Sequence, residues 1–219
     1  MKKKQPFKQE NLEFKELLTN IKKFWKWLNE SDSWLATVLW IIIFYIMIRY
    51  LIYPILGFFL GTPYPIVAIV SGSMEHRGSF DEWWNRKTIL GYTQGMWYEL
   101  NNITKEMFLS FHFKDGLNKG DVLILRGKRA EDINVGDVIV FSTPSGKAVI
   151  HRCVKKWEKD GKIYFQTKGD ANPGVGRNDA IKEDEISQDR LIGVAWIRIP
   201  WVGYPKAWLE DLINWLRKL

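Results

Sequence analysis

Two serines, Ser71 and Ser73, close a run of β-forming residues in "PIVAIVSGSME" (65–75). A serine hydroxyl is almost fully protonated at neutral pH and becomes a useful nucleophile only beside a base. Three histidines are present, His76, His112 and His151. His76 lies three residues from Ser73, and His112 lies in an aromatic-rich stretch. His151 falls in "KAVIHRCVKKW" (147–157), a predicted strand on which Val149 and Cys153 share its face. An imidazole acting as a base needs a third group to hold its tautomer. Asp170, in "TKGDANP", follows the next predicted strand, and Asp179, in "GRNDA", is nine residues further on. Either aspartate is a candidate to orient His151. Lys147 is another basic group nearby, but its Pro-Ser-Gly-Lys turn predicts a solvated lysine. The competing reading of Ser-Gly-Ser is an inert turn that ends a strand.

Such a site needs a scaffold, and the chain divides into unlike parts. From Trp34 to Ile48, "WLATVLWIIIFYIMI" carries no charge, and apart from Arg49 the apolar character continues to Leu60. About 20 residues rising 1.5 Å each cross a hydrocarbon core of roughly 30 Å. Residues 34–53 fit that length, Pro54 is a natural place for the helix to end or bend, and Arg49 can snorkel to the headgroups. The run exceeds the h-region of a cleavable signal peptide, which predicts an uncleaved anchor. Lys15, Lys22, Lys23 and Lys26 precede the span, whereas only Arg77 occurs in the 20 residues after Leu60. That bias predicts a single-pass protein of the cell membrane with a cytoplasmic N-terminus and an extracytoplasmic remainder. In residues 1–33, apolar positions from Phe14 to Leu28 follow helical spacing opposite lysines, predicting an amphipathic helix for the inner leaflet or for a partner.

Beyond residue 60 the pattern becomes mainly β. "DVLILRG" (121–127) and "DVIVFS" (137–142) each follow Gly-Asp, and "KAVIHRCVKKW" and "KIYFQTK" (162–168) come next across tight turns. These four runs predict an antiparallel meander or small barrel, with "LIGVAWIRI" (191–199) as a further strand. The catalytic β-domain would span 61–204, interrupted by an aromatic-rich insertion at about 75–118 that has no clear period and is expected to form a small cap. Asn102-Ile103-Thr104 within it matches the glycosylation acceptor pattern, which occurs often by chance. In 205–219, apolar residues from Trp208 to Leu219 form a helical stripe too short to span, predicting an amphipathic C-terminal helix, either interfacial or packed on the β-domain.

The composition narrows the partners. The 219 residues carry a net charge of +7 and twelve tryptophans, which suits an anionic lipid bilayer and its interface. The basic residues are dispersed and form no nucleic-acid module, so nucleic acid is not expected as a partner. Cys153 is the single cysteine, so neither an intrachain disulfide nor a cysteine metal cluster can form, and no metal or other cofactor is expected.

The order of the motifs resembles a known family. An anchor, then Ser71-Gly72-Ser73-Met74, "KGDVLIL", "GDVIVF", Ile150-His151-Arg152 and "KGDAN" together resemble type I signal peptidase over about residues 34–200. Histidine in the Ile-His-Arg box is similar to the archaeal and endoplasmic-reticulum branch, whereas the bacterial branch has lysine there. The resemblance implies a membrane-anchored antiparallel β-domain of the signal peptidase type and a serine endopeptidase that removes signal peptides from exported preproteins. It makes Ser73 the nucleophile and His151 the general base, with Ser71 and the Ser73 backbone N–H in the oxyanion hole. Asp170 matches the Gly-Asp box. The family's further aspartate comes slightly earlier than Asp179, which requires a loop insertion around Gly174 and Gly176. Ile66, Val67, Ala68, Ile69 and Val70 would pair with an extended substrate, which carries small residues at positions −1 and −3. Partners implied are exported preproteins and the protein-export machinery. A self-cleaving repressor-type protease is a rival within the fold, which the anchor and His151 argue against. The other rivals are a non-catalytic membrane-anchored scaffold for extended peptides and an inactive partner subunit.

Overall fold

The computed structural model describes residues 6–176 and 181–217. The chain forms two compact units, one up to Ile55 and one from Leu56 onward.

The first unit is helical. Helix α1 (Pro6–Glu30) ends in a Ser-Asp-Ser turn, and the Ser33 hydroxyl caps α2 (Trp34–Met47) by accepting the Leu35 N–H. α1 packs on α2, with Trp25 edge-on to Trp40 at a centroid distance of 5.8 Å and with Leu28 and Ala36 buried. The apolar stripe of α1 from Phe14 to Trp25 is exposed. α2 runs through one π-helical turn (Ile48–Ile52) into α3 (Tyr53–Leu60). The resulting 27-residue apolar helix, Trp34–Leu60, is long enough to cross a membrane. Of the two expectations for Pro54, ending or bending the helix, the first is not met: the helix continues through it. Pro54 has no N–H to donate, and its ring would press on the preceding turn. The wider π turn just before it, in which the Tyr53 N–H reaches the Ile48 carbonyl, accompanies its inclusion.

The second unit is built on one seven-stranded antiparallel sheet. Its strands are β1 (Ile66–Ala68), β2 (Val122–Arg126), β3 (Val138–Ser142), β4 (Ala148–Lys159), β5 (Lys162–Lys168), β6 (Ile186–Ser187) and β7 (Leu191–Ile199). The spatial order is β1-β2-β7-β3-β4-β5-β6. Of the four runs expected to form a meander, β3, β4 and β5 do so, β6 extends them, and β7 inserts between β2 and β3, so the four runs are not one continuous meander. Alternation on β2 aims Leu123 and Leu125 at a core with Ile69, Met74, Val138, Val140 and Ala195. Ile139, Phe141, Cys153, Phe165 and Ile186 fill a second core on the other face.

Between β1 and β2 the chain forms three short helices, α4 (Phe80–Trp84), α5 (Gln94–Leu100) and α6 (Lys105–Leu109). Ser79, Thr93 and Thr104 cap them, and Ser79 with Glu82 completes a capping box. Helices this short show no sequence period, which is why the segment reads as irregular. Their aromatics are internal. Trp83, Trp84, Tyr98 and Phe108 pack together and against Val154 of β4. The last helix, α7 (Tyr204–Leu216), carries a Pro in its first turn, buries Ala207 and leaves Trp208, Leu209, Leu212, Trp215 and Leu216 exposed.

The entry to the sheet depends on a close backbone approach. The Gly127 N–H donates to the Leu60 carbonyl, and a Cβ on Gly127 would stand 1.9 Å from the Gly61 carbonyl oxygen. Gly127→Ala is therefore expected to destabilise this unit by about 1–3 kcal/mol, since backbone has to move. Thermal unfolding checks this, and an unchanged midpoint contradicts it.

Candidate active site

Ser73 stands in a turn just past β1. Its neighbours fix that turn: Met74 is buried in the core, the Leu117 N–H donates to the Met74 carbonyl, and the Ala171 N–H donates to the Ser73 carbonyl. The half-buried Ser73 hydroxyl is thus held by an apolar plug on one side and by the loop after β5 on the other.

His151 lies on β4 opposite Ile139 of β3 and is 4% exposed. Val149 and Cys153, two residues to either side, belong to the second core, so the strand aims the imidazole rigidly. His151 Nε2 is 3.2 Å from Ser73 Oγ. The other two histidines are engaged elsewhere. His76 stacks flat on Trp83 at 3.7 Å, and His112 stacks on Phe113 at 3.8 Å. Lys147 is exposed, as its turn predicts.

The third group is one that the motif did not point to. His151 Nδ1 bonds Glu183 Oε2, and the Glu183 side chain is buried. With a carboxylate on Nδ1, the neutral ring carries its proton there and turns the Nε2 lone pair towards Ser73. Several contacts place Glu183. Its carbonyl accepts the Thr167 N–H, the Arg190 guanidinium donates to the carbonyls of Ile181 and Lys182, and Glu183 Oε1 accepts the Gly176 N–H. A Cβ on Gly176 would come within 2.6 Å of that same oxygen. Within "AIKEDEIS" the residue looks like one of several solvated acids. The signal that finds it is the register of β6, where Ile186 opposite Phe165 brings the preceding residues back along β5 beside β4.

Neither predicted aspartate is seen on His151. Asp179 lies outside the described residues. Asp170 is fully buried, and its carboxylate turns to Arg152 Nε and Nη2 at 3.0 and 2.7 Å, to the Tyr98 hydroxyl at 2.9 Å and to His76 Nε2 at 3.0 Å. Arg152 in turn places all five N–H donors, the remaining three on the carbonyls of His112, Gly136 and Phe113. Burial alone would raise the Asp170 pKa. The Arg152 guanidinium and the hydrogen bonds from His76 and Arg152 outweigh it and hold the carboxyl well below the usual range. The two charged residues of the Ile-His-Arg and Gly-Asp boxes therefore pair with each other behind the site.

Ser71 Oγ is 3.3 Å from Ser73 Oγ. A cleft of about 250 Å³ opens over this pair, lined by 68–71, Ser73 and Met74 on one side and by 148–151, Asn172 and Ile181 on the other. β1 is an edge strand of the sheet. Of the five residues expected to meet substrate, Ala68, Ile69 and Val70 line the cleft, Val67 packs on the core and Ile66 lies outside the lining. On β4, pairing with β5 begins at Arg152, one residue beyond His151.

Lys168 is buried behind the same loop. Its Nζ donates to Gln94 Oε1 at 2.8 Å and to the carbonyls of Gly169 and Asp170 at 3.2 and 3.3 Å. Burial, with the like charge of Arg152, brings its pKa down to about 7 against the pull of Asp170. Between about pH 7 and the free-lysine value near 10.4, the folded form is neutral here while the unfolded chain stays protonated. The unfolded state then binds more protons, so stability rises with pH over that window and is flat below it. Wild type is expected to gain stability relative to Lys168→Met between pH 7 and 10. Thermal melts of both across that range check this, and parallel pH profiles contradict it.

Comparison with known proteins adds an independent line. No family model matches the chain. It is 33% identical over 107 residues to the human signal peptidase complex catalytic subunit SEC11C, covering 47% of this chain and 55% of that protein. It is 28% identical over 152 residues to the corresponding subunit sec11 of Neurospora crassa, covering 65% and 88% respectively. For SEC11 of Pyricularia oryzae the figures are 28% over 136 residues, 58% and 78%. The chain thus spans about half the length of the mammalian relatives it matches. The resemblance carried by the ordered boxes and the names of these relatives agree: the chain is similar to catalytic subunits of the signal peptidase complex.

Proposed function

We propose that the protein is a membrane-bound serine endopeptidase that cleaves N-terminal signal peptides from exported preproteins. The observation that carries this reading is the buried chain of contacts from Glu183 through His151 to Ser73 at the floor of an open cleft. An extended substrate would lie between the main chain of 68–70 and that of 148–150, adding hydrogen bonds in the manner of an inserted strand. Apolar residues among the cleft walls, Ile69, Met74 and Ile150, would receive small side chains at substrate positions −1 and −3.

In this reading Ser73 Oγ bonds to the scissile carbonyl carbon as its proton passes to His151 Nε2. Glu183 stabilises the resulting imidazolium and keeps Nδ1 protonated. The developing oxyanion would be met by the Ser71 hydroxyl and the Ser73 N–H. Collapse breaks the peptide bond, and His151 returns the proton to the leaving amine. That amine is the new N-terminus of the mature protein; water, deprotonated by His151, then attacks the ester, the ester C–O bond breaks to free the signal peptide as its carboxylate, and His151 returns the proton to Ser73 Oγ. Asp170 and Arg152 are given no proton to move. They hold the loop and strand on which the site stands.

The apolar Trp34–Leu60 helix would hold the protein in the cell membrane, with residues 1–33 cytoplasmic, 61–204 extracytoplasmic and the C-terminal helix at the interface. Its partners would be preproteins, lipid and the export machinery. The relatives are named as subunits of a complex, so function in a larger assembly is part of the proposal.

Cleavage of a preprotein by purified protein in detergent tests the reading. Ser73→Ala and His151→Ala are each expected to lower kcat by at least about 10³-fold, and Glu183→Gln by about 10²–10⁴-fold through the wrong tautomer. Wild-type activity in Ser73→Ala overturns Ser73 as the nucleophile, and no cleavage by the wild-type protein overturns the enzyme in favour of a peptide-binding scaffold.

A further inference from the structure

The aromatic insertion does more than fill a cap. Four of its side chains reach the end of β5 and the loop that follows it, residues 168–173, together the 168–173 loop. The Trp83 indole N–H donates to the Asp170 carbonyl at 3.1 Å, and the Tyr98 hydroxyl donates to the Asp170 carboxylate. Gln94 uses both ends of its amide, accepting from Lys168 Nζ and donating to the Asn172 carbonyl at 3.2 Å. The Tyr92 hydroxyl donates to the Pro173 carbonyl at 2.8 Å. Trp83, Tyr98 and Gln94 are buried.

On its other side the same loop touches the reacting groups. The Ala171 N–H holds the Ser73 carbonyl at 2.8 Å. Gly169 lies so close that a Cβ there would stand 2.8 Å from both His151 Nε2 and the Ser73 carbonyl oxygen. Asn172 lines the cleft. One short loop is therefore gripped by the insertion and in turn sets the spacing of Ser73 and His151.

We infer that the insertion is a brace for the active site, with Gln94 and Tyr98 as positioning residues that hold the 168–173 loop in register with Ser73 and His151. This rests on the peptidase reading for its kinetic consequence, but not for its mechanical one. A shift of the nucleophile or base by about 1 Å can cost on the order of 10²-fold in rate. The substrate main chain would pair with 68–70 and 148–150, and the braced loop reaches the cleft only through Asn172, so the loss falls mainly on kcat.

The test compares wild type, Gln94→Ala, Tyr98→Phe and Met96→Ala, the last on the exposed side of the same helix. Preprotein cleavage gives kcat and KM, and hydrogen exchange read by mass spectrometry gives the protection of peptides covering 168–173. Tyr98→Phe keeps the ring and its packing, so it guards against a mere failure to fold. The expected result is a kcat lowered about 10- to 100-fold in Gln94→Ala and Tyr98→Phe, with KM within about twofold and faster exchange in the loop. Met96→Ala should match wild type in all three. Wild-type kcat and unaltered loop exchange in both brace variants overturn the inference. If wild type itself cleaves nothing, the peptidase reading fails, and the exchange measurement alone decides the brace.

Discussion

The ion pair between Arg152 and Asp170 is the constraint around which the β-sheet unit is arranged. Both side chains are wholly withdrawn from water. Burying two charges costs several kcal/mol per ion unless geometry and hydrogen bonding compensate. Here the compensation is complete: Arg152 spends five donors on five acceptors, and Asp170 also receives Tyr98 and His76. Arg152 follows His151 directly on β4, and Asp170 closes the loop that touches Ser73. The guanidinium also lies 4.7 Å over the Phe108 ring, which ties the insertion to the same centre. Core strand, the loop after β5 and the insertion thus meet at one pair of charges.

Given that centre, Ser73, His151 and Glu183 are placed by the ordinary geometry of strands. Alternation on β4 sends Val149, His151 and Cys153 to one face, and Met74 pins the turn that carries Ser73. Glu183 arrives from the far side, at the end of the segment that pairs with β5. The three groups come from positions 110 residues apart in the chain, yet each is anchored within two residues of a core side chain or a sheet hydrogen bond. That is the rigidity a serine nucleophile requires, because its base must be in reach before substrate arrives.

Much of this was legible in the residues. The charge-free run from Trp34 marks the apolar helix, the Gly-Asp turns mark β2 and β3, and Ser73 with His151 stands out once the boxes are read in order. Three features were hidden, for physical reasons. β7 enters the sheet between β2 and β3 because of long-range pairing that no local pattern encodes. The insertion has helices of five to seven residues, too short for a period to emerge. Glu183 sits among charged neighbours, and only tertiary pairing distinguishes the buried carboxylate from the exposed ones. Asp170 is the opposite case: a carboxylate in a box looks catalytic, whereas its contacts make it the partner of an arginine.

The central claim is that Ser73, activated by His151, becomes covalently acylated. It is tested most directly by quenching the protein with acid during turnover of a preprotein and mapping the adduct by peptide mass spectrometry. The account predicts an acyl group on Ser73 in the wild-type protein and none in His151→Ala. Turnover with no adduct on Ser73, or with an adduct on another residue, would contradict it.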